Sequence, residues 1–185
     1  PFGLLVSMGE DGFLANSIPF LLQRITGPFG TLQAHMARGN DQWRNIDGQK
    51  ILTVFQGPQA YVSPSFYATK RETGKVVPTW NYAMVQARGL ARLRPDPAWL
   101  DEQIKALTNQ HEGSRARPWA VSDAPHTYIE SQLRGIVGIE IEIEAIEGKW
   151  KVSQNRPEAD RRGVAEGLAQ DNPAMSELVR HYGQV

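Results

Sequence analysis

Four short stretches of the chain concentrate side chains able to grip a ligand. The first is His35-Met36-Ala37-Arg38-Gly39-Asn40-Asp41-Gln42-Trp43, which couples a cation and an amide to a turn. A helix starting near Asn40 or Asp41 would direct its first free N–H groups at an anion beside Arg38. The plainer reading has Asn40 or Asp41 capping that helix while Trp43 plugs the core. The second is Tyr61-Val62-Ser63-Pro64-Ser65-Phe66-Tyr67, followed by Lys70, Arg71 and Lys75. Hydroxyls, tyrosines and a cation this close together suit a phosphate with an aromatic plane beside it. For Arg71 and Lys75 a solvated basic tail is the better reading. The third, Val77-Pro78-Thr79-Trp80-Asn81-Tyr82, puts Thr79 and Asn81 on one face of a strand and Trp80 and Tyr82 on the other. A strand tryptophan usually serves the core, so the amide and hydroxyl are the more informative pair. The fourth, Trp150-Lys151-Val152-Ser153-Gln154-Asn155-Arg156, ends in consecutive hydrogen-bonding residues that need water or a partner.

Other chemistries are excluded or disfavoured. Without cysteine there are no disulfides, thiolate metal sites or cysteine nucleophiles. Glycine-rich nucleotide loops and the G-x-S-x-G elbow are absent, and His111-Glu112 lacks the second histidine of a zincin. The histidines at 35, 111, 126 and 181 are scattered, so no metal site is expected. Twenty basic side chains balance twenty acidic ones, whereas DNA-binding domains usually carry a basic excess. Direct DNA binding is therefore doubtful. Neither a membrane-spanning apolar run nor a signal peptide is evident, which makes the cytoplasm the expected location. The chain enters an apolar run directly at Pro1, as if an upstream piece were missing.

The elements that must position these stretches follow from periodicity. Phe2 to Ser7 and Phe13 to Leu22, separated by Gly9-Glu10-Asp11-Gly12, read as a hairpin. Thr31 to Ala37 alternates as a half-buried strand with His35 on its polar face. Lys50 to Phe55 should turn at Gly57-Pro58 and pair with Ala60 to Ser63. Val76 to Leu93 suits either one long bent strand or two strands meeting at a kink near Gly89. Leu100, Ile104 and Leu107 then mark an amphipathic helix from Pro97, and Thr127 to Leu133 a second, short one. Ile136 to Ile146 is the clearest strand, with Glu140, Glu142 and Glu144 facing solvent or basic residues of a partner. Ala159 to Leu168 and Pro173 to His181 read as helices. Strands concentrated early, with helices before and after the last one, predict α+β with a small barrel rather than a doubly wound parallel sheet. One domain over residues 1–185 is expected, with a helical insertion at about 97–134 and C-terminal helices at about 157–182.

In this order the four stretches resemble the PaiB family of FMN-binding split-barrel proteins. The resemblance rests on Ala37-Arg38-Gly39-Asn40 with Gln42-Trp43, and on Phe55-Gln56-Gly57-Pro58 running into Tyr61-Val62-Ser63-Pro64-Ser65. It continues through Gly74-Lys75-Val76-Val77-Pro78-Thr79-Trp80-Asn81-Tyr82 and Gly148-Lys149-Trp150-Lys151 with Ser153-Gln154-Asn155-Arg156. Phe66, Val152 and Gly39 depart from the tryptophan, leucine and alanine common there, without loss of a charge. The resemblance implies a split β-barrel related to pyridoxamine-phosphate oxidase-like flavoproteins, with peripheral helices. It also implies a homodimer with FMN between subunits, and a negative transcriptional regulator of protease synthesis and sporulation.

On that implication Arg38, Lys70, Ser63 and Ser65 would serve the FMN phosphate. Asn40, Thr79, Asn81, Gln154 and Asn155 would serve the ribityl chain and ring edge. Trp80 or Tyr82 would wall the ring, with Lys151 and Arg156 placing positive charge near it. A ligand-sensing route to regulation fits the charge balance better than operator contact. The alternatives are a flavin-dependent oxidoreductase of unknown substrate, with no catalytic residue assigned, and a haem-binding split barrel ligated by His35, His111, His126 or His181.

Overall fold

Alternating apolar residues bounded by turn glycines build the first hairpin. β1 (Phe2–Gly9) and β2 (Gly12–Pro19) pair antiparallel from Gly9↔Gly12 to Phe2↔Pro19. The structure is a computed structural model describing residues 1–24 and 27–185. The second hairpin strand, expected to reach Leu22, stops at Pro19, and a separate β3 (Leu21–Gln23) follows. Proline cannot donate to a ladder, and Phe20 turns fully into the core, so the chain changes partner there. β3 then pairs with β4 (Thr31–Ala37).

β5 (Lys50–Val62), β6 (Thr79–Arg94) and β7 (Ile136–Lys151) are the long strands, and the sheet order is β2-β1-β5-β6-β7-β4-β3. With its helices, this seven-stranded antiparallel sheet is the α+β split barrel. Two expectations are corrected. Gly57-Pro58 is not a turn: β5 runs straight through it. β1 pairs with β5 only along Leu52–Val54, so beyond that stretch a residue without an N–H breaks no β1–β5 ladder. β7 also continues past Ile146, so Trp150 and Lys151 belong to the strand. The ambiguous segment after Val76 resolves as one strand, β6. Gly89 allows its close passage: a Cβ there would lie 2.0 Å from the Glu142 carbonyl oxygen.

The helices are α1 (Thr69–Thr73), α2 (Pro97–Glu112), α3 (His126–Arg134), α4 (Glu158–Leu168) and α5 (Pro173–Gly183). Asp96 caps α2, accepting from Ala98 N at 3.1 Å with Pro97 in the first turn. α2 buries Leu100, Gln103 and Leu107, and Gln103 meets the His35 ring at 2.7 Å. No helix among the described residues is long and apolar enough to cross a membrane.

The chain forms two compact units. The first, Pro1–Phe55 with Gln86–Ile146, has a core of Leu5, Phe20, Leu32, Ile46, Ile139 and Ile141, with Phe55 edge-on to Phe20 at 5.6 Å. β7 places Ile139, Ile141 and Ile143 in that core and its glutamates outward, where Glu140 pairs with Arg94 and Glu144 with Lys50. Gln42, buried in a 3₁₀ turn at Asp41–Asn45, reaches the hairpin: its amide nitrogen donates to Leu5 O, Ser7 Oγ and Leu14 O, and its oxygen accepts from Asn16.

The second unit, Gln56–Val85 with Glu147–Val185, has its own core of Val62, Tyr67, Val152, Val164, Met175 and Val179. α4 lies directly on the Pro64–Phe66 turn, because at Gly163 any Cβ would sit 2.0 Å from Phe66 O. The buried Asp160 carboxylate ties α4 to α1, accepting from Thr69 N at 2.9 Å and Thr69 Oγ1 at 3.0 Å. Asn172 caps α5 through Met175 N and donates to Gln59 O at 2.7 Å.

Candidate functional site

The period-two alternation of β6 separates its polar from its aromatic residues. On one face stand Thr79 and the almost fully buried Asn81. Trp80 on the other is half exposed and edge-on to Tyr61, with centroids 6.2 Å apart. Tyr82 carries the Lys149 ammonium 5.8 Å from its ring centre.

Where β7 ends, the chain turns sharply into α4, and a network of short bonds holds the turn. Gln154 spans it, donating to Trp150 O at 2.6 Å and accepting from Val152 N at 2.8 Å. Arg156 N donates to Ser153 O, and Arg161 Nη1 donates to Arg156 O at 2.7 Å. Ser153 and the Asn81 amide exchange hydrogen bonds at 2.9 and 3.2 Å.

Between the start of β6 and this turn lies an open cavity of about 340 Å³, within the usual range for small-ligand sites. Its polar lining comprises Thr79, Asn81, Lys151, Ser153, Asn155 and Arg156, and Tyr67, Val77, Pro78 and Pro157 complete the wall. Lys151 donates to Thr79 Oγ1 at 2.6 Å, and the Arg156 guanidinium lies 4.5 Å from the Tyr67 ring centre. The lining holds two cations and no carboxylate, so the cavity favours an anion. The buried Tyr67 hydroxyl has no hydrogen-bond partner. Among the described residues no cluster of His, Asp and Glu could hold a metal ion.

Of the residues singled out in the sequence, the structure brings Thr79, Asn81, Lys151, Asn155 and Arg156 onto this cavity. Gln154 holds the turn without lining the cavity, and Trp80 stands on the opposite strand face. Ser63 caps the Pro64–Phe66 turn through Ser65 N, and Lys70 donates to Ser65 Oγ at 3.2 Å on an exposed surface. Arg38 and Asn40 belong to the other unit. There Arg38 Nε donates to Arg134 O at 3.1 Å and Asn40 caps the 3₁₀ turn through Gln42 N. The turn is too short to present a helix terminus to an anion, and half-buried Trp43 packs beside Arg38 and against the core. Sequence reasoning missed Tyr67 and Ser153 as cavity residues. Both stand in stretches singled out for their hydrogen-bonding side chains, but nothing in the sequence separates Tyr67 from Tyr61, or Ser153 from its polar neighbours, as the residue that lines the cavity.

Comparison with known proteins decides the family. The profile of the family described as "Putative FMN-binding domain" matches residues 1–145. The chain is also 32% identical over 179 residues to the protease synthase and sporulation protein PAI 2 of Bacillus subtilis, covering 96% of this chain and 83% of that one. The chain belongs to the PaiB family of FMN-binding split-barrel proteins. FMN is the cofactor that this membership brings. Another relative, an uncharacterised protein of Emericella nidulans, is 36% identical over 216 aligned positions, covering 100% of this chain and 81% of its own length. Among solved structures, the flavocytochrome Anf3 of Azotobacter vinelandii shares the fold with a TM-score of 0.57 at 14% identity. There the match covers 82% of this chain and 62% of the longer one.

The cavity fits the PaiB family's cofactor chemically. Lys151, Arg156 and Thr79 match the needs of a phosphate dianion, Asn81 and Asn155 those of a ribityl chain, and Val77, Pro78 and Pro157 offer apolar surface. The family profile ends before Lys151, so the second half of the cavity lies beyond it.

Proposed function

We propose that this protein holds FMN through the cavity at the β6 start and the 152–156 turn, and that it regulates transcription by sensing flavin or a flavin-bound ligand. The observation that carries the reading is the pairing of Lys151 and Arg156 in a cavity lined by hydroxyls and amides without a carboxylate. Lys151 with its bonded Thr79 hydroxyl makes the phosphate seat, and Arg156, already ordered over Tyr67, supplies the second cation. This reading centres the phosphate on a cavity that Ser63, Ser65, Lys70 and Arg38 do not line. Asn81 and Asn155 bind the polyol. The bound flavin supplies reversible electron chemistry, which can report redox state or ligand occupancy.

Similarity to PAI 2 supports a regulatory role, and equal numbers of acidic and basic side chains favour an indirect route over operator contact. A cytoplasmic homodimer completes the proposal. The visible spectrum of the purified protein tests it: a flavin band near about 450 nm, or its appearance on adding FMN, is expected. A colourless protein that does not take up FMN would end the reading. A salt-sensitive mobility shift of operator DNA by the protein alone would replace the indirect route with direct binding.

A further inference from the structure

Ser153 stands out in the cavity wall by its backbone. Among the described residues, only Ser153 (φ 64°) and Gln184 (φ 55°) are non-glycine residues with positive φ. Gln184 merely closes α5, where a left-handed residue is ordinary. Ser153 lies in the interior with 6% of its surface exposed, and glycine would take the same conformation without strain. What serine adds over glycine is a hydroxyl, and that hydroxyl is bonded to Asn81 on β6.

The left-handed residue also changes which side chains face the cavity. In a continuing strand Lys151, Ser153 and Asn155 would share one face and Arg156 would point the other way. With the chain reversed at Ser153, the consecutive residues Asn155 and Arg156 both line the cavity that Lys151 lines. The bonds from Gln154 to Val152 and Trp150, and from Arg161 to Arg156 O, hold the turn locally. The Ser153–Asn81 bonds anchor it to β6.

We infer that Ser153 is a positioning residue of the ligand site, whose hydroxyl, locked to Asn81, aims Asn155 and Arg156 at the anionic group held by Lys151. This rests on reading the cavity as the FMN phosphate site. Ser153→Gly separates the two roles, since it removes the hydroxyl and relieves the backbone.

The experiment measures FMN affinity by flavin fluorescence, and Tm without ligand, for wild type, Ser153→Gly and Ser153→Asn. Asparagine tolerates the left-handed conformation and can bond to Asn81. The expected result is that Ser153→Gly binds FMN about tenfold more weakly with at most a small fall in Tm, because the relieved backbone offsets the bonds lost by Asn81, and that Ser153→Asn recovers part of the affinity. Unchanged affinity in Ser153→Gly overturns the inference and leaves the FMN reading standing. So does a loss that tracks a lower Tm and is not recovered by asparagine. If wild type does not bind FMN, the functional reading falls and inorganic phosphate decides this inference. Phosphate binding weakened by Ser153→Gly upholds it; phosphate binding that is absent, or equal in both proteins, overturns it.

Discussion

The Lys151 ammonium donates to the Thr79 hydroxyl at 2.6 Å, joining the last residue of β7 to the first of β6. The pair lines the cavity. An exposed lysine held by a hydroxyl rather than a carboxylate keeps its charge uncompensated, which is the condition for receiving an anion.

Lys151→Ala is therefore expected to weaken FMN binding by about 10- to 100-fold, the equivalent of about 1.5–3 kcal/mol for a hydrogen bond to a charged group. Thr79→Val should cost less, about 0.5–1.5 kcal/mol, because it removes only the neutral partner. Fluorescence titration reads both. Wild-type affinity in Lys151→Ala would exclude this cavity as the phosphate site.

The carboxylate of Asp160 makes a structural prediction in the same unit. It is fully buried and accepts from both Thr69 N and Thr69 Oγ1, so Asp160→Ala leaves two donors unmet and should cost about 1–3 kcal/mol. Urea unfolding should show a lower midpoint with an unchanged slope. Asp160→Asn, which keeps one acceptor, should lose less.

Two glycines should respond oppositely to alanine. Gly89→Ala drives a methyl into the Glu142 carbonyl and is expected to cost about 1–3 kcal/mol or to prevent folding. Gly39 has open space where its Cβ would be, so Gly39→Ala should be neutral or stabilise by about 0.4–1 kcal/mol through the unfolded chain. Thermal unfolding of both variants checks the contrast.

Glu140 governs an acid response of the first unit. Partial burial raises its pKa, but hydrogen bonds from Arg94 and Gln33 and the Arg94 charge outweigh burial and hold it below the ordinary glutamate value. A depressed folded-state pKa gives stability that is full above the unfolded value, about 4.3, and is lost as pH falls through the lower folded value. Arg94→Gln should flatten that part of the stability–pH curve while changing little near neutrality. An identical acid limb in the variant would rule out this pair as a contributor.

Much of the fold was legible because periodicity reports burial directly. The Ile136 strand, the α2 stripe and the first hairpin each show their buried face in the sequence. What failed was punctuation. Gly57-Pro58 reads as a turn only if the strand has a β1 partner at that point, and its β1 pairing ends at Val54. Likewise, β7 outruns its apolar alternation, so Trp150 and Lys151 look like loop residues although they are strand.

The candidate site was legible where a side chain's face follows from strand parity, as for Thr79 and Asn81. It was not legible where the backbone departs from parity. Nothing in Ser153-Gln154-Asn155-Arg156 announces a left-handed serine, so the shared orientation of Asn155 and Arg156 emerges only in three dimensions. Arg38 and Asn40 have the chemistry of ligand residues but do not line this cavity: Arg38 Nε donates to Arg134 O, and Asn40 caps the 3₁₀ turn.

Gln42 has a consequence for how the first hairpin finds its pairing. β2 is largely exposed, with Phe13 and Leu14 facing outward, so burial discriminates weakly between neighbouring registers of β1 and β2. The groups that Gln42 touches sit on two rungs, Leu5↔Asn16 and Ser7↔Leu14. A slip of one residue would leave a buried amide facing the wrong atoms and unable to discharge its hydrogen bonds. One side chain from a distant turn thus works as a gauge, accepting the hairpin only when both rungs are in place.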